Sequence, residues 1–527
     1  MAVRGVDVLV VGAGVVGRSI AFALAAAEPS VRVVLAGAAG GAGASRAAGA
    51  MLGALGEVTD LAARTWHGRL RTDLAVTAAA RWPVWRQQVR DRAGTGAPPG
   101  DGYGSGTFVI LNSASSALDD ASFTAISRAA AEHNLGCRAT VPSDIPGHHP
   151  LDNDRALRAW YLPEEGFLDA RAWLTTLDAA LAALPNVTHT PAGTLTAPPA
   201  DGYLLDTPAG AFRAPRVVVA AGAWTTPVLQ AVDPHLPVVP VLAAAGTALT
   251  VTGQGPLPAV IRTPNRAYAC GLHTVPQADG SRYIGASAHP SLTPVPRPTA
   301  GALRFLLDAA LGQLDHRLAT AAVAYTHHGN RPIALDGHPV IGPTPKDGLW
   351  VASGTHRDGL HLSPLIAATL ADALLAPTGT ATALPGPLAA FIPSRPLITD
   401  LTAKEAATEA AIHHRALAAE ARMRPPLTGA WPRMLADSYQ ALMESAYAAM
   451  PDGYVPPPDL APWPTRRAGP LSRNWPPPTW TATAPISGRP TARPQRSAVP
   501  RRAWSWPHRP KGGGVKVQPP GLGELRG

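Results

Sequence analysis

The chain is 527 residues long and 46% hydrophobic, so at roughly 150 residues per domain it holds about three units with sizeable cores. Its formal charge of +9 is confined to the C-terminus: residues 451–527 carry 12 basic and 3 acidic residues, leaving 33 of each elsewhere. The overall charge therefore says nothing about a substrate site. Two cysteines, Cys137 and Cys270, exclude a disulfide framework and a Cys-rich metal site, and fit a reducing cytoplasm.

Residues 7–11 (DVLVV) form a β-branched run that stops at Gly12. Residues 15–27 have helical character and residues 31–35 read as a second short strand. Strand, turn, helix and strand in this order open a doubly wound sheet. The apolar run 6–16 is too short to span a bilayer and lacks a cleavage site, which predicts a soluble cytoplasmic protein. Helices are predicted over 73–92, 122–134 and 170–184, with strand-like pieces such as 107–111. The run 216–221 (RVVVAA) fits a strand buried on both faces. Strands recur between 238 and 287, a helix covers 301–314, a strand covers 349–352 and a helix covers 365–375. Beyond 376 the composition shifts to an Ala/Glu-rich helix over 402–421 and another helix over 432–450. With 57 prolines and 51 glycines in the chain, the tail after 450 reads as a basic, Pro-rich, extended or disordered segment.

Gly12-Ala13-Gly14-Val15-Val16-Gly17 follows a strand and opens a helix, the setting that a dinucleotide fingerprint requires. Glycine permits the tight turn and close approach to a pyrophosphate, while the helix N-terminus offers unpaired N–H groups. The acidic residue expected at the end of the second strand, for the ribose hydroxyls, is replaced by Leu35, followed by Ala36 and Gly37. That loss costs roughly 1.5–3 kcal/mol of cofactor affinity. No arginine follows directly to favour a 2′-phosphate.

Three further segments follow in order: residues 44–53 (ASRAAGAMLG), 216–224 (RVVVAAGAW), and 329–342 with 354–359 (GNRP…DGHPVIG…GTHRDG). Together with the glycine turn they resemble the FAD-dependent D-amino-acid oxidase superfamily, and within it the glycine oxidases of the thiamine-biosynthesis type. The resemblance covers about residues 6–375. It implies an α/β fold: a Rossmann-like FAD-binding domain with an inserted α+β substrate domain of mostly antiparallel sheet, followed by the Pro-rich extension. The FAD domain would comprise about 1–80, 150–225 and 325–375, and the substrate domain about 81–149 and 226–324. A helical extension would follow over 376–450 and the tail over 451–527.

By position, Gly12, Gly14, Val15, Val16, Gly17, Ser45, Gly49, Ala50, Met51 and Gly222 would line the FAD. Gly354, Thr355, His356, Arg357, Asp358, Gly359 and Leu360 would wrap the flavin end, where backbone N–H donors stabilise the reduced ring. Arg331 matches the family arginine that grips the substrate carboxylate, a task for a planar, permanently charged fork. Arg357 matches a second arginine near the substrate, and Tyr268 the tyrosine that opens a Y-x-x-P-R strand. Each residue has a plainer role open to it: a structural ion pair for Arg331, pairing with Asp358 for Arg357, and sheet packing for Tyr268. Glu57 sits where glycine oxidases have an acid, though capping is as good an account. His327 and His328 would point to opposite faces of a strand and pack.

The chain departs from the family at Gly271 and Leu272, in place of the proline and arginine after the tyrosine, and at Gly285-Ala286-Ser287-Ala288. These changes suggest a roomier pocket. No cysteine lies near Gly329, so the FAD is expected to be non-covalent, and no metal is expected. The implied chemistry is oxidation of a C–N bond by hydride transfer from the substrate Cα to the flavin. The imine would hydrolyse to an oxo acid, and dioxygen or another acceptor would take the electrons, with peroxide as the product of the former. Oxidation of an amine within a specialised metabolite, and a non-catalytic flavin-fold scaffold, stay open. So does assembly of identical chains. Arg and Trp interleave in the tail, but nucleic-acid binding is not expected.

Overall fold

In the computed structural model Val8–Val11 forms a strand, β1, with all four side chains buried, as a β-branched run covered on both faces should be. The structure describes residues 3–38, 41–198, 202–266, 269–377, 384–421 and 429–461, without the side chains of 269 and 270. From β1 the chain turns through Gly12 into helix α1 (Val15–Ala27) and returns as β2 (Val33–Ala36). Further on come β3 (Gly104–Asn112), β4 (Ala156–Phe167), α2 (Ala170–Ala182), β5 (Val187–Thr190) and β6 (Arg216–Val219). Then follow β7 (Val241–Thr252), β8 (Ala269–Pro276), β9 (Arg282–Ser287), β10 (Ala322–Ala334), β11 (Val340–Pro343) and β12 (Leu349–Ser353). Helix α3 (Ser363–Leu375) ends this part of the chain.

Among the described residues β11, β12, β6, β1, β2 and β5 form, in that order, a six-stranded sheet. Its strands run parallel, with Val8 opposite both Arg216 and Val33, except for the antiparallel pair β11 and β12. Helices α1, α2 and α3 pack on one side through Ile20, Leu24, Leu177, Leu181, Ile366 and Leu370, all buried in one core. A second sheet, of ten described strands, contains β7 to β10 with β3 and β4 and is mainly antiparallel. β10 runs along β7 from Ala334 opposite Val241 to Ala322 opposite Thr252. Arg331 lies on β10 within this pairing, opposite Ala244. β4, from a range expected in the FAD domain, pairs with β3 in the second sheet.

The two predicted C-terminal helices are present as α4 (Ala403–Glu420) and α5 (Trp431–Ala448). Thr402 and Glu405 form a capping box that starts α4. The extension is not detached from the body. Arg395 makes two bonds to the buried Asp336 carboxylate at 2.9 and 3.0 Å, and the Tyr454 hydroxyl donates to the Leu335 carbonyl at 2.8 Å. The expectation of an extended tail from 451 is thus corrected for its first residues: Pro456, Pro458, Leu460 and Ala461 are buried, because apolar groups interrupt the polar composition there. The rest of the tail lies outside the described residues. No helix among the described residues is long and apolar enough to cross a membrane.

Candidate functional site

The turn after β1 packs so closely that its glycines are required. Gly12 has φ +121°, and a Cβ there would overlap the Ala220 carbonyl of the neighbouring strand end. A Cβ on Gly17 would overlap the Gly12 carbonyl, so the third glycine lets α1 approach its own turn. Ser45 Oγ accepts the Val15 amide at 2.9 Å, satisfying one of the free donors of the first helical turn.

These groups line a cavity of about 750 Å³, within the size range of cofactor pockets. Its walls include Gly12–Val16, Ser45–Ala48, Gly222, Gly329–Pro332, Thr355–Arg357, Gly359 and Leu360. Gly17, Gly49, Ala50, Met51, Gly354 and Asp358 are not in the wall. Gly17 closes the helix on the turn. A Cβ on Gly49 would press on Tyr283 and His273, and Ala50, with φ +56°, leads into the strand pair of Met51 with Phe167. A Cβ on Gly354, at φ +68°, would meet Val340. The Asp358 carboxylate pairs with Arg71 at 2.9 Å.

The strand-end position assigned to Leu35 is corrected. β2 extends one residue further, so Leu35 points into the helix-side core while Ala36 lines the cavity. Alternation along a strand gives the two residues opposite faces. Among the described lining residues Asp178 is the sole carboxylate, and it is tied to Arg18 by bonds of 2.6 and 3.1 Å. Arg46, also in the wall, makes no ion pair among the described residues and was missed by the sequence reading.

Arg331 faces this cavity from β10. Its Nη1 donates to the Ser287 carbonyl at 2.8 Å, and a Cβ on Gly246 would overlap its guanidinium. No described carboxylate lies within ion-pair distance of it. Burial first, and then the charges of Arg357, Arg331 and Arg71, hold His356 well below its ordinary pKa. The Arg331 guanidinium therefore faces the cavity with a neutral imidazole near it.

Arg357 does not pair with Asp358. Its Nη2 donates to the Arg266 carbonyl at 2.9 Å and to Asp459 Oδ1 at 3.1 Å. Glu57 accepts from Arg262 at 2.7 Å and from Asn265 at 2.6 Å. Burial would raise its carboxyl, but the charges of Arg262 and Arg357 and these bonds bring it down to about 2. Glu57 is thus a half-buried counter-ion to Arg262 rather than a helix cap.

Tyr268 lies outside the described residues. The x-x-P spacing that is absent after Tyr268 occurs five residues later, at His273-Thr274-Val275-Pro276 on β8. His273 is buried, stacks on Tyr283 with ring centroids 5.8 Å apart, and is pushed down to about 4 chiefly by burial. His327 bonds Thr250 Oγ1 at 2.7 Å and His328 bonds the Val295 carbonyl at 2.8 Å, on opposite faces of β10. Among the described residues no cluster of His, Cys, Asp or Glu could hold a metal ion.

A family model described as FAD dependent oxidoreductase matches residues 7–373. The chain belongs to the FAD dependent oxidoreductase family. It is 29% identical over 377 residues to a glycine oxidase of Geobacillus kaustophilus, covering 69% of this chain and 92% of the relative. A solved glycine oxidase structure from that organism matches with a TM-score of 0.61 at 26% identity, over 75% of this chain and 100% of the other. Iminodiacetate oxidase from Chelativorans sp. BNC1 shares the fold at 22% identity, with a TM-score of 0.59, over 73% of this chain and 99% of the other. As an FAD-dependent oxidoreductase the chain takes FAD as its cofactor, and the glycine cradle fits a dinucleotide. Residues 384–461, which include α4 and α5, lie beyond the family match.

Proposed function

We propose that the protein oxidises the C–N bond of a small amino acid or amine bearing a carboxylate, with FAD held non-covalently. The observation that carries this reading is Arg331: an arginine in the cavity wall, without a described carboxylate partner, oriented by the Ser287 carbonyl and by the space at Gly246. A planar guanidinium so placed takes a carboxylate through two parallel bonds, which fixes the adjoining Cα.

The residues that would hold FAD are Gly12, Gly14, Val15, Val16 and Ser45 at the pyrophosphate, with Gly17 letting the helix close on the turn and Arg46 beside it as a counter-charge. The stretch from Thr355 to Leu360, including His356 and Gly359, and Gly222 would border the rest of the cofactor. When bound, FAD supplies the acceptor for the hydride leaving the substrate Cα.

The protein's part is positioning. Arg331 orients the substrate, the neutral His356 adds no competing charge, and buried apolar walls exclude water. No side chain has to act as a strong base, because the amine is oxidised from its neutral form. The imine would then hydrolyse to an oxo acid and an amine or ammonia, with dioxygen or another acceptor taking up the electrons. An anaerobic screen of glycine, sarcosine, D-amino acids and larger amines, read by bleaching of the flavin absorbance, tests the reading. Bleaching by at least one carboxylate-bearing amine is expected; reduction by carboxylate-free amines alone would contradict it.

A further inference from the structure

Arg331 and Arg357 both line the cavity, and both charges act on His356, yet they are held differently. Arg331 has no described carboxylate within ion-pair distance. Arg357 is ion-paired with Asp459 at 3.1 Å, and Asp459 comes from the segment beyond the family match. That segment is anchored next to the contact. A one-turn helix, Pro458–Leu460, carries the aspartate, Leu460 is buried, and the Tyr447 hydroxyl of α5 donates to the Pro456 carbonyl at 3.0 Å.

The extension also reaches Arg357 by a second route. The Arg266 carbonyl accepts from Arg357 at 2.9 Å. The Arg266 side chain is itself clamped by Asp119, with two bonds of 2.7 Å, and by Glu420 of α4 at 2.6 Å. Among the described contacts of the Arg357 Nη2, one is thus made by the extension directly, and the other is to a residue whose side chain the extension also touches.

We propose that the C-terminal extension is a substrate-selecting element, in which Asp459 sets the number of carboxylates the site accepts to one. Asp459 is a positioning residue: it occupies the Arg357 guanidinium and places a negative charge where a second substrate carboxylate would otherwise bind. The inference rests on the reading of Arg331 as the carboxylate clamp.

The test titrates acetate and malonate into the full-length holoenzyme and follows the flavin absorbance. Asp459→Asn should raise the affinity for malonate relative to acetate by at least about tenfold, since a repulsive charge is removed and a guanidinium is released. Asp459→Glu should restore the wild-type ratio, and Arg357→Gln added to Asp459→Asn should abolish the gain. An unchanged ratio, or an equal fall for both anions, would overturn the proposal. If Asp459→Asn does not retain FAD, the wild type itself decides: malonate binding no tighter than acetate supports the proposal, and malonate binding at least about tenfold tighter than acetate overturns it. Arg331→Ala is the separate control, because retention of acetate binding there removes the clamp reading while the ratio still tests Asp459.

Discussion

Gly246 on β7 and Arg331 on β10 are fitted to one another: the guanidinium lies in the space that a Cβ at Gly246 would fill. The pairing of β7 with β10 sets Gly246 opposite Gly329, two residues from Arg331 and on the same face. A glycine side by side with the clamp is therefore part of the clamp. Gly246→Ala should displace the guanidinium and weaken carboxylate binding by about tenfold or more, as expected for losing a charge-assisted fork. FAD content should stay at the wild-type level. Titration of acetate into the holoprotein measures the first, and the ratio of flavin to protein absorbance measures the second.

Gly12→Val tests the cradle. A side chain at φ +121° is strained and collides with the Ala220 carbonyl. The purified variant should carry little FAD, and its fluorescence-measured affinity for added FAD should fall at least about a hundredfold, corresponding to 3 kcal/mol of strain. Arg46→Ala should show a smaller loss that diminishes as salt is raised, since the contribution assigned to it is one solvent-exposed charge.

His273 gives the protein a specific acid sensitivity. Burial holds its folded pKa at about 4 against 6.5 when unfolded. Between these values the unfolded chain binds a proton that the folded protein cannot, so stability falls as pH drops from about 6.5 to 4. This one group contributes a loss on the order of 3 kcal/mol over that window. His273→Asn should flatten the dependence of melting temperature on pH across the same interval, whatever its effect at neutral pH. Equal slopes for variant and wild type would show that folding leaves the pKa of this imidazole unchanged.

The chain segment 452–461 is predicted to be structural. A chain ending at Met450 lacks the buried Leu460, the Tyr454 bond to Leu335 and the Asp459 bond to Arg357; one ending at Ala461 keeps them. The shorter chain should melt several degrees lower, consistent with about 2–4 kcal/mol of lost burial and hydrogen bonding.

What could be read from the sequence was local. The periodicity of 15–27 matches α1 residue for residue, and RVVVAA ends in the expected buried strand because β-branched runs and glycine stops act within a few residues of themselves. The order of glycine turn, AGAMLG, GNRP and GTHRDG was enough to indicate the family.

Contacts across the chain were not legible. Arg357 finds Asp459, 102 residues away, rather than its neighbour Asp358, which is taken by Arg71 from a distant helix. The Leu35 assignment failed by one residue, and one residue on a strand is a change of face. Tyr268 lacks the x-x-P spacing, which occurs instead at His273-Thr274-Val275-Pro276; matching on residue type rather than on spacing set the register wrongly.

The central claim is that Arg331 receives the substrate carboxylate. Its most direct test is anaerobic reduction of the holoenzyme by the best carboxylate-bearing amine, compared between wild type and Arg331→Ala at equal FAD content. The expected result is rapid bleaching of the wild-type flavin and a rate lower by at least about a hundredfold in the variant, the scale of a lost charge-assisted bidentate contact. Unchanged bleaching in Arg331→Ala would contradict the account.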